Sequence, residues 1–357
     1  MSIFAPTALR PLAVVTCSLA IWLSSNPAYA RCEWDSGLPT YMTFEHDLGS
    51  LWVPRDAEIG RVIADLPLAV RNREGSNLQC FYDATPPTTA SMIPSTALVP
   101  GIPVRAQRSA DSVLRTNVDG IGAILTLGFP YDGSAPNAFT SDDGTQSVPY
   151  SGTMLTPTGF AAPLGVLRGR VTLVKTGPIA PGEHIVDKQM FHGVTNDRGR
   201  VLDYTLKARV KQAQCTLLGN PVSADPVKLG DYTLADFTGP GPVGTETPFS
   251  IRLSDCEDDS AAGTAFAHIE LDGTKGSTVV DAKNGIFSLG SGSTAAGFGI
   301  QILHGDGRQL PLQEVVSVKP LQVGITQLDF RARFYQLDPK VTPGLAQGAL
   351  HFTISYR

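Results

Sequence analysis

The sequence has little clustering of positive charge and little of the patterning that marks helical proteins. Its 28 lysines and arginines are mixed with 33 aspartates and glutamates, and the formal net charge is −5. Nucleic-acid binding needs a concentrated basic patch, so no nucleic acid is expected among the partners. No segment shows sustained apolar spacing of the helical kind, which argues against a helical fold.

Residues that carry catalysis or hold cofactors are also scarce. The six histidines form no H-E-x-x-H motif, and the five cysteines include no C-x-x-C pair, which disfavours a zinc or redox site. No G-x-S-x-G motif supplies a nucleophile. Residues 290–295 match a dinucleotide fingerprint in form, but the following residues are typical of a strand rather than a helix. We therefore expect no enzyme activity, no metal and no cofactor.

Residues 1–30 have the pattern of a secretory signal peptide. Arg10 precedes a mostly apolar run from Leu12 to Leu23, and residues 28–30 form an A-x-A cleavage site. The alternative is a membrane anchor, but the run is short for a span of ~20 residues. We expect the mature chain to begin at Arg31, and no later segment is long and apolar enough to span a membrane.

Removal of the signal peptide leaves four cysteines, Cys32, Cys80, Cys215 and Cys256. An even number in an exported chain indicates disulfides, although four cysteines allow three connectivities. The simplest is one bridge in each half of the chain, Cys32–Cys80 and Cys215–Cys256. Each bridge would stabilise the fold by ~2–4 kcal/mol.

Short β-type runs separated by turns make up the rest of the chain. The 36 glycines and 27 prolines exceed average usage, and β-branched residues are enriched in runs such as Gly169–Lys175. Many short strands separated by turns predict an all-β sandwich or barrel. The length after cleavage suits two domains.

The last residues have the pattern of a half-buried strand. Leu350, Phe352, Ile354 and Tyr356 alternate with polar or charged residues. Terminal residues usually fray, so a strong strand at this position suggests that something pairs with it.

An ordered set of motifs precedes this strand. Cys215 opens the segment, and it is followed by residues 227–232, 249–256 and 295–302. In this order the motifs resemble the pilin domain of chaperone–usher fimbriae, over residues 212–357. The resemblance implies an immunoglobulin-like sandwich that lacks its last strand.

The same resemblance implies the partners. A periplasmic chaperone would first fill the groove left by the missing strand. The chain would then join the fibre at an outer-membrane usher, where an adjacent fimbrial subunit would donate a strand in place of the chaperone. The groove would be lined by Leu350, Phe352, Ile354 and Tyr356.

The whole chain resembles the two-domain tip adhesins of these fimbriae. The expected organisation is a signal peptide (1–30), a lectin-like adhesin domain (31–207), a linker (208–211) and a pilin domain (212–357). For Leu206–Val210 the alternative is a continuation of the last strand of the first domain. Arg31 lies immediately before Cys32 and leaves no room for a donor strand, so we expect the protein at the fimbrial tip, on the cell surface.

A first set of candidate ligand-binding residues follows Cys80. Asp83 lies three residues after Cys80, where the mannose-binding branch of these adhesins has an aspartate that contacts sugar. Tyr82 offers an aromatic platform, and Arg31 would be the free N-terminal residue that contacts sugar in that branch. Residues 176–182 replace the polar run of that branch, so mannose itself is not expected.

A second set lies in an acidic loop region. Tyr131, Asp132, Asn137 and Asp142 have the planar polar and aromatic side chains that sugar hydroxyls and C–H faces need. The alternative is that these residues only form turns, as Asp, Asn and Gly often do. We predict a fimbrial tip adhesin for a host glycan or matrix protein. The alternative is a non-adhesive tip or capping subunit of the same type of fimbria.

Overall fold

The computed structural model describes residues 31–104, 112–259 and 263–357, and the chain they form is almost entirely β. The predicted signal peptide, residues 1–30, lies outside the described residues. Within the described ranges, no helix is long and apolar enough to cross a membrane. The expected all-β class is confirmed.

The strands of the first half are β1 (Arg31–Trp34), β2 (Met42–Pro54), β3 (Val62–Arg71), β4 (Leu78–Phe81), β5 (Thr89–Pro94), β6 (Leu114–Arg115), β7 (Ile121–Leu127), β8 (Phe139–Ser141), β9 (Tyr150–Met154), β10 (Ala162–Pro163), β11 (Val166–Lys175), β12 (Glu183–Thr195) and β13 (Gly199–Thr216). A 3₁₀ turn, Leu234–Asp236, follows. The strands of the second half are β14 (Gly241–Glu257), β15 (Phe266–Thr274), β16 (Val279–Asp281), β17 (Ile286–Ser288), β18 (Phe298–His304), β19 (Val316–Pro320), β20 (Gly324–Gln336) and β21 (Ala349–Tyr356).

The first half is a sandwich around one large apolar core. One sheet has the order β3-β11-β7-β6, and the other runs β13-β12-β5-β9-β8 with β2 parallel to β13; a small sheet, β1-β4-β10, closes one end. Strand alternation sends Phe191 and Tyr204 into the core, where their rings stack with centroids 5.0 Å apart and both side chains are fully buried.

The second half is a smaller sandwich with its own core. Strands β16-β17-β18-β20-β14 form one sheet, and β19-β15-β21 form the other. Leu328 and Phe330 of β20 are buried between the sheets, together with Ile269 of β15. The strand β21 stands at an edge, because among the described residues it pairs with β15 alone.

Each half contains one disulfide, Cys32–Cys80 and Cys215–Cys256. In the first half, β1 pairs with β4 so that Cys32 lies directly opposite Cys80. In the second half, the bridge ties β13 to β14, whose strands also pair. The simplest of the three connectivities is therefore confirmed.

The expected linker at 208–211 is wrong as an exposed connector. These residues lie inside β13 and pair with β12 on one side and β2 on the other, and Ala208 and Val210 are buried. Apolar side chains at alternate positions bury one face of the segment, and a solvent-exposed connector could not satisfy that pattern. The alternative, a continuation of the strand of the first half, is what the structure shows.

Tyr356 joins the two halves near the point where β13 passes between them. Its ring is 2% exposed, and its hydroxyl donates to the carbonyl of Cys215 at 3.1 Å. Its backbone N–H donates to Asp56 Oδ2 at 2.8 Å, and the N–H of Asp56 donates to the carbonyl of Tyr356 at 2.9 Å. The guanidinium of Arg55 lies 4.8 Å from the ring centroid. The desolvation that accompanies burial raises the pKa of Tyr356.

We expect Tyr356→Ala to lower the free energy of unfolding of the full chain by ~3–5 kcal/mol, the usual range for removing a buried aromatic ring. The measurement is the midpoint of urea unfolding at fixed protein concentration. His351→Ala is the matched control, because His351 is exposed on the same strand, and it should change stability by less than ~0.5 kcal/mol. Equal midpoints for the two variants would contradict the role given to Tyr356.

Candidate functional site

An open apolar groove runs along the free edge of β21. Its volume is about 320 Å³, and it lies between β21 and residues 222–229. The floor comes from both sheets of the second half and includes Ile269, Phe330 and Ala332. Ordinary sandwiches cover such a core with a further strand, so this half presents both an uncovered apolar floor and unpaired backbone groups.

The structure separates the four residues predicted to line this groove. Leu350 and Phe352 line it and are half-buried. Ile354 is half-buried and packs against the same core without lining the cavity. Tyr356 is a correction: it is buried against Cys215 and Asp56 between the two halves, because β21 has by then passed from the groove into the contact between the halves.

The end of the first half that lies away from the second half is a cluster of turns. Strand β3 begins near the second half, because its Val62 pairs with Val174 and the Nζ of the next residue, Lys175, donates to the carbonyl of Arg55 at 2.9 Å. β3 has 10 residues, so at ~3.3 Å per residue its other end, Arg71, lies roughly 30 Å away. We call the region around residues 71–88 and 195–199 the distal end.

Arg31, Tyr82 and Asp83 come together at this distal end. Arg31 pairs with Phe81 across β1 and β4, which places it next to Tyr82. Arg31 is exposed and forms an ion pair with Glu33. Asp83 is half-buried, and its Oδ1 accepts a hydrogen bond from the N–H of Thr85 at 3.1 Å. That bond is typical of a turn, so one carboxylate oxygen of Asp83 already has a structural role.

Tyr131 is a correction, because its side chain cannot reach a ligand. It is fully buried in the core of the first half, with its ring stacked on Phe139 at 5.8 Å and at right angles to Tyr150 at the same distance. Burial raises the pKa of its hydroxyl, which has no hydrogen-bond partner among the described residues. The sequence pattern could not distinguish this aromatic from an exposed one.

Asp132, Asn137 and Asp142 hold local structure instead of forming one pocket. Asp132 Oδ1 accepts from the N–H of Ser134, and the Nδ2 of Asn137 donates to the carbonyl of Ala161 at 2.7 Å. Asp142 accepts from the hydroxyls of Ser151 at 2.7 Å and Thr153 at 2.8 Å. These contacts agree with the alternative that the acidic loops form turns. No group of three or more potential metal ligands occurs in the described part of the chain.

Two features of the distal end were missed in the sequence. The loop between β9 and β10 exposes Leu155 (62%) and Phe160 (75%). A second cavity of about 370 Å³ lies between the turn after β3 and the start of β11. Its lining residues are Arg71, Asn72, Gly75, Ser76, Asn77, Pro163, Gly165, Val166 and Arg168. The Asn-, Ser- and Gly-rich run 72–77 signals a turn, but only tertiary pairing brings it against residues 163–168.

Comparison with known proteins finds one matching family model and several related sequences. A family model described as "Fimbrial protein" matches residues 204–357. The type-1 fimbrial protein A chain of Salmonella typhi is 36% identical over 135 residues, which cover 36% of this chain and 69% of that protein. The uncharacterized fimbrial-like protein YcbU of Escherichia coli K12 is 27% identical over 132 residues, which cover 37% of this chain and 71% of that protein.

Solved structures resemble the chain at lower similarity. The CupB6 tip adhesin of Pseudomonas aeruginosa is 18% identical and covers 91% of this chain and 93% of its own, with a TM-score of 0.37. The receptor-binding domain of the adhesin MrkD1P of Klebsiella pneumoniae is 18% identical and covers 53% of this chain and 100% of its own, with a TM-score of 0.33.

Because Tyr131 is a core residue and Asp132 a turn residue, their alanine variants should differ in stability. Tyr131→Ala should lower the free energy of unfolding by ~3–5 kcal/mol, since it leaves a cavity beside Phe139 and Tyr150. Asp132→Ala should cost less than ~1 kcal/mol, since one exposed turn bond is lost. Thermal denaturation of the full chain measures both, and a Tyr131→Ala variant as stable as Asp132→Ala would show that the ring does not support the core.

Proposed function

This chain belongs to the fimbrial protein family, and we propose that it is the tip adhesin of a chaperone–usher fimbria that attaches a bacterium to a host glycan or matrix protein. Fimbrial proteins are exported and form surface fimbriae, and they are not known as enzymes, which agrees with the expected lack of catalysis. The tip position, the receptor and the individual partners are parts of the proposal.

The open groove of the second half is the observation that carries the assembly role. Leu350, Phe352 and the facing residues 222–229 border an uncovered apolar core, and β21 has a free edge. A donated strand would pair with that edge and place alternate side chains on the floor. A periplasmic chaperone occupies the groove first, until the outer-membrane usher passes the chain to the fibre. The final occupant of the groove is the extension of an adjacent fimbrial subunit.

The segment before Cys215 supports a place at the end of the fibre. In the resembling shaft subunits, this position carries a free extension that fills the groove of a neighbour. Here the residues are those of β13, which pairs with β12 and β2 along its length. Freeing these residues would break the sheet of the first half. The second half therefore accepts a strand without offering one from that position.

The division into an adhesin domain and a pilin domain follows the two cores. Apolar residues from Cys32 to Val210 form the first core, and those from Ala213 to Tyr356 form the second. We place the boundary inside β13, close to Gln212. The distal end of the first half then faces away from the rest of the fibre, where Arg31, Tyr82 and Asp83 can meet a receptor. Many fibres on one cell raise the avidity of a weak contact.

Replacing Phe352 with glutamate should prevent assembly, because a buried carboxylate in the groove opposes the entry of an apolar strand. We expect Phe352→Glu to reduce co-purification with the periplasmic chaperone and the number of fimbriae bearing the chain by about tenfold or more. His351→Glu carries the same charge on the exposed face of β21 and should behave as the wild type. If both variants assembled equally well, the groove would not be the docking site.

Adhesion itself is tested in a strain that lacks this chain, compared with the same strain after restoration of the full chain. Fimbriae are counted by electron microscopy, and attachment is measured on immobilised glycans and matrix proteins. We expect fimbriae without attachment in the deleted strain. Loss of the fimbriae themselves would favour the tip or capping role instead.

A further inference from the structure

We propose that the distal cavity between residues 71–77 and 163–168 binds an acidic sugar, through a carboxylate or sulfate group held by Arg71 and Arg168. The proposal rests on the adhesin function proposed above, and it names the class of receptor. This cavity lies at the other end of β4 from Tyr82 and Asp83. It is therefore a site that the family pattern around Asp83 does not include.

The strand register brings the two arginines to one face. Arg71 lies opposite Val166, and Arg168 lies opposite Ala69, in the antiparallel pair of β3 and β11. Residues two apart along a strand share a face, so Arg71 and Arg168 are diagonal neighbours, at about 7–8 Å. Both side chains are exposed and both line the cavity. This spacing allows two guanidinium groups to converge on one anion.

The charged side chains near the cavity are paired with other residues, whereas Arg71 and Arg168 have no ion-pair partner among the described residues. Arg170 binds Asp65 at 2.6 Å, and Arg73 binds Glu45 at 2.7 Å. Both carboxylate oxygens of Glu74 accept from Thr43, one of them from its N–H at 2.7 Å. Among the described residues neither lining arginine has an ion pair.

The charge of the cavity is opposite in sign to that of the chain. No aspartate or glutamate lines it, whereas the whole protein has a formal net charge of −5. The lining thus forms a local positive site on an acidic protein. An anion binding here would replace no internal carboxylate, so no existing ion pair would have to be broken.

Two buried polar residues that line the cavity are already held in place. Asn72 and Ser76 are buried, and the Nδ2 of Asn72 donates to the carbonyls of Ser76 at 2.6 Å and Gly165 at 2.9 Å. Asn77 Oδ1 accepts from the N–H of Gly165 at 3.0 Å. A Cβ at Gly165 would lie 3.0 Å from both Asn77 Oδ1 and the carbonyl of Ser76, so glycine permits this close approach. Lining residues that are already held in place reduce the ordering cost of binding.

Size and donor chemistry favour an acidic sugar over a bare ion. A volume of about 370 Å³ is in the range of small-molecule sites. Guanidinium forks match the geometry of carboxylate and related oxyanions. The Nδ2 of Asn77 has no hydrogen-bond partner among the described residues, so it can donate to a sugar hydroxyl. The cavity also opens at the distal end, where a receptor on another surface can reach it.

The test uses cells that carry fimbriae with the whole chain, on surfaces coated with sialylated, glucuronate-containing, sulfated or neutral glycans, and with polyglutamate as an acidic peptide. We expect binding to at least one acidic glycan and little to neutral ones. Arg71→Gln and Arg168→Gln should each reduce that binding by about tenfold, and raised salt should weaken it further. The glycan sets identify whether a carboxylate or a sulfate is recognised.

Arg115→Gln is the matched control, because Arg115 is exposed, lies outside the cavity and forms no ion pair with the described part of the chain. The substitution therefore removes the same charge elsewhere. Its binding should equal that of the wild type. Equal binding by all variants, binding to neutral glycans alone, or arginine-dependent binding to polyglutamate alone would overturn the acidic-sugar site. If fimbriated cells attach through this chain and neither arginine substitution changes that attachment, the proposed site is wrong but the adhesin function still stands.

Discussion

One missing strand is the constraint on which the structure depends. The second half has a core, a disulfide and two sheets. Even so, β21 has a free edge, and the apolar groove along that edge is left open. A water-exposed groove of this kind costs free energy and invites pairing with other chains. Under the proposed assembly, a strand from another polypeptide would complete this fold, so folding and assembly would be one process for this half.

Continuity between the halves is the second constraint. β13 supplies a central strand to the first sandwich and, at Cys215, a covalent tie to β14 of the second. Tyr356 closes the same junction from the end of β21, through Cys215 and Asp56. The apolar groove and the distal end are therefore held on a shared framework.

Local patterns in the sequence predicted what depends on local order. Alternation along residues 350–356 predicted a strand, and the even number of cysteines indicated disulfides, of which the simplest connectivity is the one observed. Tertiary packing decided the rest. The same alternation that sends Phe352 to the groove sends Tyr356 to the junction, and nothing near Tyr131 reveals that Phe139 and Tyr150 enclose it. The diagonal placement of Arg71 beside Arg168 depends on a register between segments almost a hundred residues apart.

The passage of one strand through both sandwiches has a mechanical consequence. If the distal end were attached to a surface and the fibre at the groove were pulled, the force would act along β13. It would load the pairings of β13 with β2 and β12 lengthwise. Bonds loaded in this way share the load and break together, whereas a flexible hinge would let the halves swing before any bond is strained. Resistance to flow would then depend on how slowly this sheet unfolds under force.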